Sequence, residues 1–167
     1  MKIRIGFVSN SSSSSFIVAF DKKPESVEEM QKVLFGDREY YPNPYVFDEN
    51  DTVGWSVRTV TQIVYGDMGE PLVKKEIYHK MRDGYHDFLP EMPGHYNISE
   101  SENKKKWDVW DIQCKKLERE YADKFIAQNS RKQFFLFTYS DNNGELASAM
   151  EHGDLFRRLP HIVINQH

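Results

Sequence analysis

Gln133-Phe134-Phe135-Leu136-Phe137-Thr138-Tyr139 is a strongly apolar run, and Ser140-Asp141-Asn142-Asn143-Gly144 follows it directly. A short, aromatic-rich run that ends in a turn-forming cluster has the length and composition of a buried strand. Its neighbours in sequence have a different period. Trp107, Trp110, Cys114, Leu117, Tyr121 and Phe125 recur at helical 3-4-3-4-4 spacing, with Ser99 and Glu102 placed as a capping box. The spacing predicts one long helix over about 100–128, packed on the sheet through Trp107, Trp110, Leu117 and Tyr121. Beyond the turn, residues 146–150 suit a short helix stopped by Gly153. Asp154 is positioned to cap a further turn reaching Arg158, Pro160 ends it, and residues 161–165 alternate as a last strand.

The first part of the chain supplies the partners for such a strand. Ile3, Ile5 and Phe7 alternate over residues 2–8, and residues 16–20 form a second apolar run. The serines between them predict a polar loop joining two strands. Ser26 and Glu29 open a helix over 26–35, which Gly36 closes. Residues 37–52, with two prolines and several tyrosines, predict an irregular surface crossing. Val57, Val60, Ile63 and Val64 after Ser56 suggest a helix, although the same valine, threonine and isoleucine content suits a strand. Pro71 is expected to open a further helix that runs to Gly84, and residues 85–98 to form a loop. Strands at both ends with helices between them predict an α+β fold: one domain over 1–167, whose sheet joins the chain ends and is packed by three to four helices.

Composition narrows the function classes. The chain has 22 Lys plus Arg against 26 Asp plus Glu, a formal charge of −4, so it presents no overall field for a phosphate backbone or an anionic membrane, and nucleic acid is a disfavoured partner. The lone cysteine, Cys114, has no intramolecular disulfide partner, which suits a reducing compartment and a cytoplasmic location. No apolar run reaches the roughly 20 residues of a membrane-spanning helix. No signal-peptide core follows Lys2 and Arg4.

The opening Ile3-Arg4-Ile5-Gly6-Phe7-Val8-Ser9-Asn10-Ser11-Ser12-Ser13-Ser14-Ser15-Phe16-Ile17-Val18 resembles an N-terminal signature of many uncharacterised phage and prokaryotic proteins, GFVSNSSSSSF followed by a short apolar run. The match is unbroken from Gly6 to Phe16. The resemblance implies a phage or mobile-element origin and names no activity.

Two clusters carry the candidate chemistry. Ser9, Asn10, Ser11, Ser12 and Ser13 offer hydroxyls and backbone N–H groups of the kind that can hold an anion, without the lysine and paired glycines of a phosphate-binding loop. Their plainer role is a surface connection. The second cluster is Asp141, Glu145, Glu151, His152, Asp154, His161 and His167. Within it Asp141 and His152 are the expected ligand contacts, and Asp141, His152 and His161 are a candidate set for a divalent metal, the only cofactor the residues suggest. Their spacing matches no metal-binding motif, and surface or capping polar residues around turns are the plainer explanation. His161 and His167 lie too far apart along a strand to share an ion. No nucleophile elbow supports a serine hydrolase, so enzymatic activity stays open.

Two functions are compatible with this sequence. One is a phage or mobile-element accessory protein that binds a host or defence component, for which Tyr40, Tyr41, Tyr45 and Phe47 among Asp48, Glu49 and Asp51 have interface-like composition. The other is a small enzyme or ligand-binding domain for a phosphorylated or nucleotide-like molecule, with the serine run and the C-terminal Asp/His cluster meeting at one end of the sheet.

Overall fold

A computed structural model of the chain describes residues 13–45, 54–94 and 99–166. The expected strand at 2–8, residues Ser9 to Ser12, Phe47 and His167 lie outside the described residues. The sheet is built around β1 (Ser13–Phe20), which runs antiparallel to both β4 (Gln133–Ser140) and β5 (His161–Gln166) in the order β4-β1-β5. Phe16 stands opposite Phe137 on one side and Val163 on the other. The chain ends therefore do share one sheet, and β1 is its centre.

Alternation along β1 sends Ser14, Phe16, Val18 and Phe20 to one face and Ser15, Ile17 and Ala19 to the other. Both faces are covered. On the first, α1 (Val27–Phe35), α2 (Val57–Asp67) and α5 (Glu145–His152) supply Met30, Leu34, Val60, Val64 and Met150 to a core around Phe20, Phe135 and Phe137. On the second, α3 (Lys74–Met81) and the long α4 (Glu100–Gln128) bring Ile77, Met81, Ala122 and Phe125 against Ile17, Phe134 and Ile162. The result is an α+β sandwich of helices on both sides of an antiparallel sheet.

Local chemistry sets the helix ends. The Ser26 hydroxyl accepts from the Glu29 N–H at 3.2 Å, and Gly36 ends α1 at φ 62°, a left-handed conformation that glycine adopts without penalty. Ser99 and Glu102 form the expected reciprocal cap, with the Ser99 N–H donating to Glu102 at 3.2 Å. The segment after Ser56 is helical. Pro71 stands outside α3, which starts three residues later, where Glu76 accepts from the Val73 N–H at 2.8 Å.

Three expectations need correction. The serine run is not a loop throughout: Ser13, Ser14 and Ser15 are strand residues, because the β1 ladder continues to Ser140 and Gln166, and the Ser15 hydroxyl pairs with Thr138 at 2.8 Å. The crossing after α1 contains β2 (Tyr40–Pro42), which pairs with β3 (Gly54–Ser56) in a second small sheet and buries Tyr41. The third concerns α4, where Cys114, Glu118, Ala122 and Phe125 are buried, Trp107, Trp110 and Leu117 are half-buried, and Tyr121 is 41% exposed.

The reason for the last is length. A helix of 29 residues spans about 43 Å, whereas an eight-residue strand spans about 27 Å, so at least about a third of α4 has no sheet beneath it. It meets the sheet near its C-terminal end, where the Phe125 ring lies against Phe134 with centroids 5.7 Å apart, and elsewhere it packs on α3 and on residues 82–92, as in the stacking of Tyr121 on Phe88. Tyr78 and Lys74 of α3 both bind Asp123, holding its carboxyl below the usual carboxylate range. Among the described residues no helix is long and apolar enough to cross a membrane.

Candidate functional site

The site grows from the way α5 is anchored. Ala149 and Met150 pack into the core, and the buried Tyr41 hydroxyl donates to the Ala149 carbonyl at 2.8 Å. That same hydroxyl lies so close to Gly153 that a Cβ there would collide with it, which explains a glycine at the end of α5. With the helix fixed in this way, Glu151 points inward. It is 4% exposed, and its Oε1 accepts from the Ser14 hydroxyl at 3.4 Å.

After Gly153 the chain turns back. Arg157 pairs with Asp154 at 2.7 Å, while Leu155 and Phe156 enter the core. Pro160 then accepts from the Ala19 N–H at 2.9 Å and delivers the chain to β5. Alternation puts His161, Val163 and Asn165 on the face of β5 that Ser14 and Phe16 share on β1. Between this face and the end of α5 lies a cavity of about 470 Å³ lined by Ser14, Glu151, His152, Asp154, His161 and Asn165, among others. The volume is in the range of small-molecule sites, roughly 300–1,000 Å³.

Its polar groups are arranged in a chain. Ser14 has one proton to share between Glu151 Oε1 at 3.4 Å and the Asn165 side-chain oxygen at 3.3 Å, both at the long end of hydrogen bonding. Glu151 Oε2 is buried and has no hydrogen-bond partner among the described residues, and the imidazole Nε2 of His152 lies 3.7 Å from it. His161 Nδ1 is 2.9 Å from the Leu159 carbonyl. A carbonyl only accepts, so Nδ1 carries the proton and the neutral ring keeps its lone pair on Nε2. Phe16, Phe156 and His161 form a cluster of rings with centroids 5.3–6.4 Å apart.

The expected site residues divide accordingly. His152 and His161 line one cavity. Asp141 does not: it sits in a 3₁₀ turn, Asp141–Asn143, at the end of β4, and the eight residues of α5 carry the chain about 10 Å further before His152. The candidate metal set Asp141, His152 and His161 is therefore not gathered, and among the described residues no three His, Cys, Asp or Glu side chains converge as ligands. Ser13 is on the opposite face of β1 from the cavity, and Ser9, Asn10, Ser11 and Ser12 lie outside the described residues. Ser14 and Asn165 are the members that sequence reasoning passed over, while Glu151 stood in the acidic cluster without being expected as a ligand contact. Counting back from Phe16 by two gives Ser14, and forward from His161 by four gives Asn165, so the signal for both was the period-two alternation.

A second, larger hollow of about 990 Å³ lies between α4 and residues 82–92, lined by Tyr85, Leu89, Met92, Trp110, Cys114 and Glu118. Trp110 donates to the Pro90 carbonyl at 3.0 Å and closes one side. Burial raises both the Glu118 carboxyl and the Cys114 thiol above their ordinary values. Charged side chains of both signs, Arg82, Asp83, Asp111 and Lys115, also line this hollow, with no imidazole pair among the described residues around it, and Met92 at its edge is 58% exposed. No known protein family matches the chain, and no curated protein or solved structure matches it.

Proposed function

We propose that the chain is a ligand-binding domain whose smaller cavity takes a phosphorylated, nucleotide-like small molecule. The observation that carries this is the convergence of His152, His161 and Ser14 around a carboxylate, Glu151, whose Oε2 is buried without a hydrogen-bond partner among the described residues. A buried acceptor left unsatisfied costs about 1–3 kcal/mol, so Glu151 calls for a hydrogen-bond donor, which the ribose or base of a nucleotide supplies. His152 and Arg157 supply donors suited to phosphate oxygens, and the Phe16, Phe156 and His161 rings supply an apolar surface suited to a base. Calorimetric titration with nucleoside monophosphates and with inorganic phosphate tests it. At least one nucleotide is expected to bind, and Arg157→Ala to weaken it roughly ten- to hundredfold, as for loss of a charge-assisted hydrogen bond. Absence of binding by every nucleotide would refute this reading.

A second reading keeps the chain as a phage or mobile-element accessory protein that binds a host or defence component. It draws on a different surface, where Met92 at the larger hollow and Val109 and Ile112 on α4 expose apolar side chains. Val109→Asp with Ile112→Asp would abolish a complex formed there and leave nucleotide binding unchanged.

A further inference from the structure

We infer that the smaller cavity is a general acid–base site that hydrolyses phosphodiesters, with His161 and His152 as the proton-transferring pair and Glu151 as a positioning residue. This rests on the nucleotide-binding reading above and goes beyond it, from binding to turnover. Three features carry it. Each imidazole has one nitrogen beside a protein acceptor and, among the described residues, no hydrogen-bond partner on the other: His161 Nδ1 faces the Leu159 carbonyl at 2.9 Å, and His152 Nε2 faces Glu151 at 3.7 Å. Both rings line one cavity. The third is Glu151 itself, a carboxylate 4% exposed, with Ser14 on one oxygen and the His152 ring beside the other.

In the step this arrangement supports, a water molecule attacks phosphorus and its oxygen lone pair forms the new P–O bond. The lone pair of His161 Nε2 takes the proton that the water loses. The P–O bond to the leaving alcohol breaks with its electron pair on oxygen, and that oxygen receives the proton of His152 Nδ1. The products are a phosphomonoester and an alcohol, with His161 protonated and His152 neutral. Exchange with solvent returns both to their starting state. Such proton transfers contribute typically 10²- to 10⁴-fold each.

The test uses bis-p-nitrophenyl phosphate and a nucleoside 2′,3′-cyclic phosphate as substrates, with binding of a nucleoside monophosphate measured in parallel. Turnover is expected in the wild type, and His161→Gln and His152→Gln should each lower kcat by 10²-fold or more. Glu151→Gln should lower kcat and leave KM in place, while Glu151→Asp restores part of the loss, a split that a merely structural role would not produce. Circular dichroism checks folding, and exposed His152 keeps the test valid should the Glu151 variants misfold. Nucleotide binding without turnover would overturn this inference and leave the binding reading standing. Undiminished turnover in either histidine variant, or turnover abolished by a chelator and restored by a divalent metal, would overturn it too. No binding at all would remove both.

Discussion

Phe135→Ala is expected to destabilise the protein by about 3–5 kcal/mol, the range for removing a fully buried aromatic side chain. Phe135 is completely buried and stands edge-on to Phe20, ring centroids 5.6 Å apart, where β1 and β4 meet α1 and α2. A urea melt measures the effect as a lower midpoint at unchanged slope. Leu117→Ala on α4 is the matching comparison. Because Leu117 is only half-buried, its loss should be clearly smaller, and equal losses would mean that the faces of α4 are misassigned here.

A steep loss of stability above pH 10 is the second large effect. Burial raises the Tyr41 phenol well above its ordinary value, with Asp154 and Tyr45 adding to the shift. Tyr139 is raised in the same way, first by burial and then by Asp67 and Tyr41. In the unfolded chain a tyrosine ionises near pH 10, whereas the folded chain keeps both protons. The stability these groups contribute is therefore fully present below pH 10 and falls as pH rises past it. Each tyrosine removes about 1.4 kcal/mol per pH unit, so two units remove roughly 5 kcal/mol, on the order of a small domain's whole stability. Urea melts between pH 8 and 12 read this directly. The Tyr139 hydroxyl has no hydrogen-bond partner among the described residues, so Tyr139→Phe should halve the alkaline slope and cost nothing at neutral pH. An unchanged slope in that variant would show that Tyr139 titrates normally.

The sheet was legible because its strands are apolar and short and end in turn residues: Phe16 to Phe20, Phe134 to Tyr139 and Ile162 to Ile164 all read correctly. Caps were legible for the same local reason, as at Ser26 and Ser99. The small sheet at Tyr40 to Pro42 was not, because three residues carry too little periodicity and a proline argues against a strand. The stripe on α4 misled because its aromatic positions follow the helical period correctly, but the partner surface ends before the helix does. A sequence gives the period of a helix, not the length of what lies beneath it.

At the site, His152 and His161 were recognisable as residue types, and their meeting was not. It depends on Tyr41 pinning α5 and on Gly153 allowing that approach, contacts made across more than 100 residues of chain. Glu151 was visible in the acidic cluster without any sign that it would be buried. Asp141 seemed equivalent to it and is held at the other end of α5.

The position of β1 at the centre of the sheet also has a consequence for synthesis. Phe20 pairs with Gln133, so the central strand leaves the ribosome about 113 residues ahead of its first partner. At roughly 5–20 residues per second that interval lasts on the order of 6–20 s. Throughout it a strand that is apolar on both faces has neither edge paired. The nascent chain must therefore shield Phe16 to Phe20, through early contacts with α1 and α2 or through a chaperone, and slowing elongation between α2 and β4 should raise the yield of aggregate rather than lower it.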